Sequence, residues 1–163
     1  MAEEILLHPF DALYDENSEI LILGSFPSVV SRRQSFYYAN PSNRFWPVLS
    51  ILFNEEITDR RAFCLRHHIA LWDVIESCSI SGSSDAAIRN VKVNDFAPLI
   101  AETKIRHLFT TGAKAYELFR KYSDCPLPCT PLPSTSAANA RMRTDDLVRE
   151  YRKITEVLNE EKS

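Results

Sequence analysis

Residues suited to binding a flat, phosphate-bearing ligand are concentrated in two segments of the sequence. The first, GSFPSVVSRRQSFYYANPSNRFWPVL, runs from Gly24 to Leu49 and is rich in aromatic rings, which stack on heterocyclic bases. The second contains LPSTSAAN, residues 132–139, whose hydroxyl and backbone N–H groups are suited to binding phosphate. Residues 20–54 and 125–144 contain no Asp or Glu, and their arginines are Arg32, Arg33, Arg44, Arg141 and Arg143.

These two acid-free segments belong to an acidic chain. The net charge is -3, which taken alone argues weakly against nucleic-acid binding, because neutralising phosphates needs a positive face. If the two segments meet in the fold, they form one local positive surface on an acidic body. The alternative is that two loops of this length lack carboxylates by chance, since such runs are often only solvated faces.

Apolar runs and helical spacings alternate along the chain. EILILG is a continuous apolar run that ends in glycine, which predicts a strand buried on both faces. PSNRFWPVLSILF has helical spacing, with Ser42 or Asn43 as the expected N-cap. The other expected elements are strands in IALWDVI and IRHLFTTG, an extended segment in CPLPCTPLP, helices in TDRRAFCLRHH, AKAYELFRKY and TDDLVREYRKITEVLNEE, a loop in ESCSISGSSD, and short helices at 85–90 and 94–102. This alternation predicts an α/β fold in which helices cover both faces of a parallel sheet.

In such a fold, ligands bind outside the carboxyl ends of the strands. Three of the expected strands end at Gly24, Gly112 and Leu132. The loops after the first and the last of these are the two acid-free segments. The topology therefore predicts that the two segments meet at one edge of the sheet.

Length and composition predict a single domain over residues 1–163. Of the 163 residues, 45% are hydrophobic and 25% are charged, which is the balance of a globular domain with a full core. The acidic start MAEEILLHPF lacks the layout of a signal peptide, and no apolar run approaches the roughly 18 residues that a membrane span needs. We therefore expect a cytoplasmic protein with no membrane partner.

Cysteine and histidine spacing gives little support to a metal site. The cysteines at positions 64, 78, 125 and 129 are too irregular for a zinc ribbon and are expected to be free thiols. The alternative is a site at Cys125 and Cys129 that is completed by distant ligands. His67 and His68 end a helical pattern, which favours a C-terminal cap over a metal site.

The order of the motifs resembles that of the uracil-DNA glycosylase superfamily. GSFPS after an apolar strand, FYYANPSNRFW, and LPSTSAAN near the C-terminus are most similar to the hypoxanthine-DNA (deoxyinosine) glycosylase branch, as is LWDVIESCSISGSSDAAIRN in the middle of the chain. NRFW also resembles the mismatch-specific uracil and thymine glycosylases. The resemblance implies a three-layer α/β/α sandwich with a central four-stranded parallel sheet, no cofactor, and removal of a deaminated base from double-stranded DNA in base-excision repair.

Residues of the first motif have the chemistry that a pocket for an extruded base requires. Phe26 and Phe36 are the best candidates for stacking on the base. The backbone amides around Ser25 and Phe26, together with the Asn43 amide, are expected to read the base edge, because an amide side chain offers both a donor and an acceptor.

Asn40 is the expected catalytic residue. Other branches of the superfamily place Asp or Asn third in the first motif to position water, whereas the third residue of GSFPS is Phe26. The resemblance implies that this branch uses an Asn from the YYANP loop instead. The alternatives are that Asn40 only starts a turn before Pro41, or that Asn43 or Asp73 positions the water.

The second motif and two arginines are expected to bind the DNA backbone. Ser134, Thr135 and Ser136 supply hydroxyl and N–H groups for the phosphates that flank the extruded nucleotide. Arg44 and Arg141 supply positive charge, although Arg44 stands at a helix start where a structural role is the alternative. The second motif lacks the histidine of the uracil-specific branch, so a weaker device for stabilising the leaving base is expected.

Two other functions remain open from the sequence. One is a glycosylase for uracil or for G·T and G·U mismatches, and the other is a nucleic-acid-binding module without catalysis. None of GSFPS, ANPSNRFW and LPSTS contains a lysine that would form a Schiff base, which favours a monofunctional, metal-independent hydrolase. The expected oligomeric state is a monomer.

Overall fold

A computed structural model of the chain describes residues 4–8, 11–27, 31, 34, 36–80 and 88–160. The strands are β1 (Glu4–Leu7), β2 (Ile20–Gly24), β3 (Ile69–Asp73), β4 (Ile75–Ile80), β5 (Ile88–Val93), β6 (His107–Thr111) and β7 (Cys129–Leu132). The helices are α1 (Phe45–Phe53), α2 (Arg60–Arg66), α3 (Ala97–Ala101), α4 (Ala113–Tyr122) and α5 (Thr144–Asn159).

A four-stranded parallel sheet forms the centre of the fold. Its strand order is β3-β2-β6-β7, and all three neighbouring pairs are parallel. The continuous apolar run of β2 is fully buried, because helices cover the sheet on both faces. The predicted central sheet is confirmed, and its carboxyl ends lie at Gly24, Asp73, Thr111 and Leu132.

Alternate residues of β2 enter different hydrophobic cores. Ile20 and Ile22 pack in one core with residues of α1, α2 and α5. Leu21 and Leu23 pack in the other with residues of α3 and α4. This period of two is what a strand imposes on its side chains. The arrangement is the three-layer α/β/α sandwich that the resemblance implied.

A second, antiparallel sheet corrects two expectations. Strands β1, β4 and β5 pair in that order. Most of β4 lies in ESCSISGSSD, which was expected to be a loop, and β5 begins within the helix expected at 85–90; residues 81–87 lie outside the described residues. Both expectations were wrong because β4 is stabilised by pairing with a distant N-terminal strand and by burial of Cys78 and Ser79, which no local pattern reveals.

Helix α1 begins slightly later than expected. Its N-cap is Arg44, not Ser42 or Asn43. The Asn43 side chain still acts at the helix start, because its Oδ1 accepts a hydrogen bond from the Phe45 N–H at 2.9 Å. Within the described residues, no helix has the length and the apolar character that crossing a membrane requires.

Candidate active site

The two acid-free segments meet at the carboxyl edge of the parallel sheet, as the topology predicted. The Arg44 N–H donates to the Thr135 carbonyl oxygen at 2.9 Å, and the Thr135 hydroxyl donates to Asn43 Oδ1 at 2.7 Å. The two segments are therefore hydrogen-bonded to each other. Arg32 and Arg33 lie outside the described residues.

Arg44 joins the segments through its side chain as well. The guanidinium donates to the carbonyl oxygens of Met142 at 2.5 Å and Asn139 at 2.9 Å, with a longer bond to Ser136 at 3.4 Å. A guanidinium that donates to several carbonyl oxygens braces the loop it binds. The geometry thus shows the structural role for Arg44, and a contact with DNA phosphate remains a prediction. Arg141, in contrast, is exposed.

The LPSTS loop is anchored by its own turns and by α5. The buried Tyr151 of α5 donates its hydroxyl to the Pro133 carbonyl at 2.6 Å, and Asn139 Nδ2 donates to the Ser134 carbonyl at 2.9 Å. Ser134 Oγ and Ser136 Oγ each accept a backbone N–H two residues further on. Both serine O–H groups keep their donor capacity, because accepting a bond does not use it. Thr135 is only 2% exposed, and its hydroxyl is directed inward to Asn43.

Asn40 lies in a turn at the rim of the same edge. Its Oδ1 accepts hydrogen bonds from the Ser42 N–H at 3.0 Å and the Ser42 hydroxyl at 2.8 Å. This arrangement is an Asx turn, so the turn role considered for Asn40 is present. The residue is half-buried, and its catalytic role remains a prediction.

Three polar side chains surround Gly24 at the end of β2. A Cβ atom at Gly24 would lie 2.6 Å from Asp73 Oδ1, 3.5 Å from the Tyr38 hydroxyl and 3.7 Å from Thr111 Oγ1. Only glycine allows the Asp73 carboxylate to approach this closely. Gly24 and Asp73 are also partners in the β2–β3 register. The result is a polar cluster across the carboxyl ends of β2, β3 and β6.

His8 is a site residue that sequence reasoning missed. Its Nε2 lies 2.7 Å from Asp73 Oδ2, and both side chains are only 6% exposed. A carboxylate can only accept hydrogen bonds, so Nε2 carries the proton of this bond. His8 reaches the site because its backbone N–H continues the pairing of β1, donating to the Glu76 carbonyl at 2.8 Å. No local sequence signal marks that long-range pairing.

Tyr38 was also missed, and its backbone is strained. Its φ is +51°, which is uncommon for a residue with a side chain and is often found at functional sites. The ring stacks on Phe45 with centroids 3.7 Å apart, and the hydroxyl lies 3.1 Å from Thr111 Oγ1. Burial, and then the nearby Asp73, hold the pKa of Tyr38 far above its ordinary value, so the phenol keeps its proton.

The aromatic residues expected to stack on a base occupy different surroundings. Phe26 is half-buried and lies edge-on to His8, with ring centroids 5.9 Å apart, which places it beside the Asp73 cluster. Ser25 is next to it, and its carbonyl accepts the Ile75 N–H at 3.0 Å. Phe36 lies nearly parallel to Trp46, with centroids 6.0 Å apart. A base-stacking role for either phenylalanine remains a prediction.

Comparisons with known proteins agree with this geometry. A sequence model of the Uracil DNA glycosylase superfamily matches residues 12–158. A hypoxanthine DNA glycosylase of Methanosarcina acetivorans is 39% identical over 138 residues, covering 81% of this chain and 87% of that protein. One of the same name from Methanosarcina barkeri is 38% identical over 95 residues, covering 55% of this chain and 60% of that protein.

A solved structure is similar over nearly its full length. It is the solution NMR structure of a candidate uracil DNA glycosylase from Methanosarcina acetivorans, with 35% sequence identity and a TM-score of 0.74. It covers 93% of this chain and 99% of that one. The chain belongs to the uracil DNA glycosylase superfamily.

The opposite, amino edge of this glycosylase fold carries a second histidine–carboxylate pair. His67, the C-cap of α2, places Nε2 3.0 Å from Glu55 Oε1, and Arg66 donates to the same carboxylate. The Arg66 and His67 hydrogen bonds lower the pKa of Glu55 from 4.5 to about 2. Among the described residues, no group of three or more His, Cys, Asp or Glu side chains is arranged to hold a metal ion.

Proposed function

We propose that this protein is a hypoxanthine-DNA glycosylase. It hydrolyses the N-glycosidic bond of hypoxanthine extruded from double-stranded DNA and leaves an abasic site, as the first step of base-excision repair. One observation carries the proposal: the segments with GSFPS and LPSTS join at the carboxyl edge of the sheet, in a chain 39% identical to a hypoxanthine DNA glycosylase over most of its length.

The base pocket is assigned to the end of β2. An enzyme that acts on a base in DNA extrudes the nucleotide and holds the base by stacking and by hydrogen bonds to its edge. Phe26 supplies a ring face, with Phe36 as the second stacking candidate. Backbone amides around Ser25 and Phe26 donate to the base. Asn43 Oδ1 is already bonded to Thr135 and Phe45, so the Asn43 Nδ2 group is the part that donates.

The reaction requires a placed water and preorganised donors. The oxygen of the water bonds to C1′ as the bond between C1′ and the base nitrogen breaks; the electron pair of that bond leaves with the base, and the proton released by the water neutralises it. Positive charge develops on the sugar and negative charge on the base, so fixed dipoles stabilise the transition state. Asn40 orients the water through its amide, which does not titrate near neutrality.

DNA backbone binding is assigned to the LPSTS loop. Ser134 and Ser136 donate hydroxyl protons to phosphates, Thr135 holds the loop against the first motif, and Arg141 adds positive charge. Arg44 contributes by bracing this loop. The proposed enzyme uses neither a metal nor a cofactor, because the step needs only water and protein dipoles. We also propose that it acts as a monomer.

Uracil is the second candidate base. The structurally similar Methanosarcina acetivorans protein is described as a candidate uracil DNA glycosylase, and uracil, like hypoxanthine, has a ring N–H beside a carbonyl. A binding module without catalysis is the remaining alternative. It would bind these duplexes and leave them intact.

The proposal is tested with duplexes that carry hypoxanthine, uracil, xanthine or a G·T mismatch. Each is incubated with the protein in EDTA, and abasic sites are revealed by alkaline cleavage. We expect cleavage at hypoxanthine to be fastest and to give no adduct on borohydride reduction. Preferential cleavage at uracil would reassign the substrate. A trapped adduct would replace hydrolysis by a Schiff-base mechanism, and intact duplexes throughout would overturn the proposal.

A further inference from the structure

A cavity of about 500 Å³ lies beside the LPSTS loop, between α4 and the edge strand β7. Gly112, Tyr116 and Glu117 line it on the side of α4, and Pro131 and Pro133 line it on the side of β7. Pockets of about 300–1,000 Å³ are the usual size of sites that bind small organic molecules. Neither the base pocket at the end of β2 nor the phosphate contacts of the loop account for this space.

The cavity is continuous with the loop that is proposed to bind phosphate. Pro131, Leu132 and Pro133 line it and lead directly into Ser134. The Gly112 N–H donates to the Leu132 carbonyl at 2.8 Å, and a Cβ atom at Gly112 would lie 3.5 Å from Ser134 Cβ. A phosphate held by the Ser134 hydroxyl would therefore lie beside the cavity, with the rest of its nucleotide near enough to enter.

The cavity also lies a short distance from the proposed pocket for the extruded base. That pocket is at the end of β2 and the cavity is at the end of β7, and β6 lies between the two strands. Neighbouring strands are about 4.8 Å apart, so the two sites are separated by about 10 Å. Successive bases of a stacked strand rise about 3.4 Å. A nucleotide within about three positions of the lesion can therefore reach the cavity.

We propose that this cavity holds the base of a nucleotide that flanks the lesion in the same strand. The flanking base stacks against Tyr116, and an exocyclic amine of that base donates to the Glu117 carboxylate. The cavity thus gives the enzyme a preference for the sequence around the lesion. This inference rests on the proposed glycosylase function.

Tyr116 and two prolines form an aromatic and apolar wall. Tyr116 is half-buried, and Arg120 Cζ lies 5.7 Å from its ring centroid, so a cation–π contact holds the ring. Aromatic rings bind unstacked bases of any sequence, because every base has a π-face. Pro131 and Pro133 add stiff apolar surface, since the proline ring fixes the backbone φ. Such a wall binds a flat heterocycle and gives no sequence preference of its own.

Glu117 supplies the preference. Among the described residues that line the cavity, it alone is charged. It is exposed, and within the described part of the chain its carboxylate has no ion-pair or hydrogen-bond partner. A carboxylate accepts hydrogen bonds and repels phosphate, so it favours the base end of a nucleotide. Glutamate accepts from the N4 amine of cytosine, whereas the O4 carbonyl of thymine would face it with lone pairs.

Equilibrium binding with a scan of the flanking positions tests this inference. The ligand is a duplex in which a 2′-fluoro-arabinonucleotide of hypoxanthine, which resists cleavage, lies opposite an abasic analogue. The three positions on either side of the lesion carry 5-methylcytosine, thymine or an abasic analogue in turn. The residue opposite the scanned position is also abasic, so no base pair has to open. 5-Methylcytosine and thymine have nearly the same shape and differ in the groups at N3 and C4.

The variants are Tyr116→Ala and Glu117→Gln, each with a matched control. Tyr122→Ala removes an exposed tyrosine at the other end of α4. Glu156→Gln removes the same charge from an exposed position on α5. The melting temperature of each protein is recorded.

At one flanking position, removal of the base should weaken wild-type binding about 5- to 150-fold, the range of one base–aromatic stack. Tyr116→Ala should weaken binding of the intact ligand by a similar factor. Base removal at that position should then have little further effect, because both changes remove the same contact. Wild-type protein should bind 5-methylcytosine there about 3- to 10-fold more tightly than thymine. Glu117→Gln should lose this preference, and both controls should behave as the wild type does.

Cleavage of a hypoxanthine duplex by the wild type is measured in parallel. If the wild type cleaves it but binds equally well after base removal at every scanned position, the inference is overturned and the proposed function stands. The inference also fails if Tyr116→Ala keeps the full cost of base removal, or if Glu117→Gln keeps the full preference. Glu117 is exposed, so its variant serves as the test even if Tyr116→Ala does not fold. If the wild type cleaves no duplex with a deaminated base, the proposed function itself is overturned.

Discussion

The two edges of the parallel sheet carry similar residue types in different settings. At the carboxyl edge, the side chains of His8 and Asp73 are 6% exposed, and the His8 ring lies 5.9 Å from Phe26 of the first motif. At the amino edge, His67 and Glu55 are 25% and 27% exposed, beside a cavity of about 420 Å³ that also borders Arg66. Both edges thus hold a histidine–carboxylate pair, and at the amino edge the carboxylate also accepts a hydrogen bond from Arg66.

The difference shows that residue chemistry alone does not identify the site. Exposed ion pairs such as Arg66–Glu55 are screened by solvent and contribute little. At the carboxyl edge, strand direction brings the motif loops together, and glycine allows a buried carboxylate to approach the backbone. We therefore assign function to the carboxyl edge and a surface role to the amino edge.

Asn40→Ala should give the largest loss of activity among these variants. Its result bears most directly on the contrast between the carboxyl and amino edges. Loss of a group that orients water or stabilises charge typically lowers the rate about 100- to 1,000-fold, and we expect this in single-turnover cleavage with nearly unchanged DNA affinity. Ser42→Ala is the control, because it removes one turn contact of Asn40 and leaves the amide. Equal loss in both variants, together with a lower melting temperature, would show that Asn40 only forms the turn.

Phe26→Ala should act on binding. Removing one base–aromatic stack costs about 1–3 kcal/mol, so the protein concentration for half-maximal single-turnover rate should rise about 5- to 150-fold, and base choice should relax. Phe36→Ala provides the comparison, since Phe36 lies against Trp46. A rise with Phe36→Ala alone would move the stacking role to that ring.

Arg44 and Arg141 should separate bracing from phosphate binding. Arg44→Ala removes charge-assisted bonds to Met142 and Asn139, so we expect stability to fall by about 2–3 kcal/mol and the melting temperature by roughly 4–12 °C. Arg141→Ala should keep the melting temperature and reduce the salt-dependence slope of DNA affinity by about 0.9. An unchanged slope in Arg141→Ala would place the phosphates elsewhere.

Sequence patterns predicted the elements that can be recognised from their own residues, without knowledge of distant pairing partners. The continuous apolar run EILILG predicted β2, and the strands expected in IALWDVI and IRHLFTTG contain β3 and β6. The acid-free loops indicated which edge these strands share. The antiparallel sheet was missed because ESCSI is polar and is stabilised by pairing with residues 70 to 76 positions away.

His8 and Tyr38 were missed for the same reason, because nothing in the sequence around them indicates their positions in the site. His8 reaches Asp73 only through that distant pairing, and the strained backbone of Tyr38 has no signature in sequence. For Arg44, the sequence left a phosphate contact and a structural role at a helix start as alternatives. Only the loop geometry shows which carbonyl oxygens its guanidinium contacts.

Glu55→Gln should have the smallest effect, confined to acid stability. Because the folded-state pKa of Glu55 is lowered from 4.5 to about 2, the stabilisation from this carboxylate is complete above pH 4.5 and is lost as the pH falls toward 2. The melting-temperature difference between wild type and Glu55→Gln should therefore shrink across that range. Glycosylase activity at neutral pH should not change, and a tenfold loss would give the amino edge a functional role.

An NMR titration with a cleavage-resistant hypoxanthine duplex tests most directly whether the carboxyl edge is the active site. Backbone amide shifts are followed in ¹⁵N-labelled protein as the duplex is added. We predict that the largest changes occur at Gly24, Ser25 and Phe26 and in the loop from Ser134 to Ser136, while Glu19, His67 and His68 at the amino edge remain nearly unchanged. Changes centred on the amino edge, with the carboxyl-edge amides unmoved, would contradict the assignment.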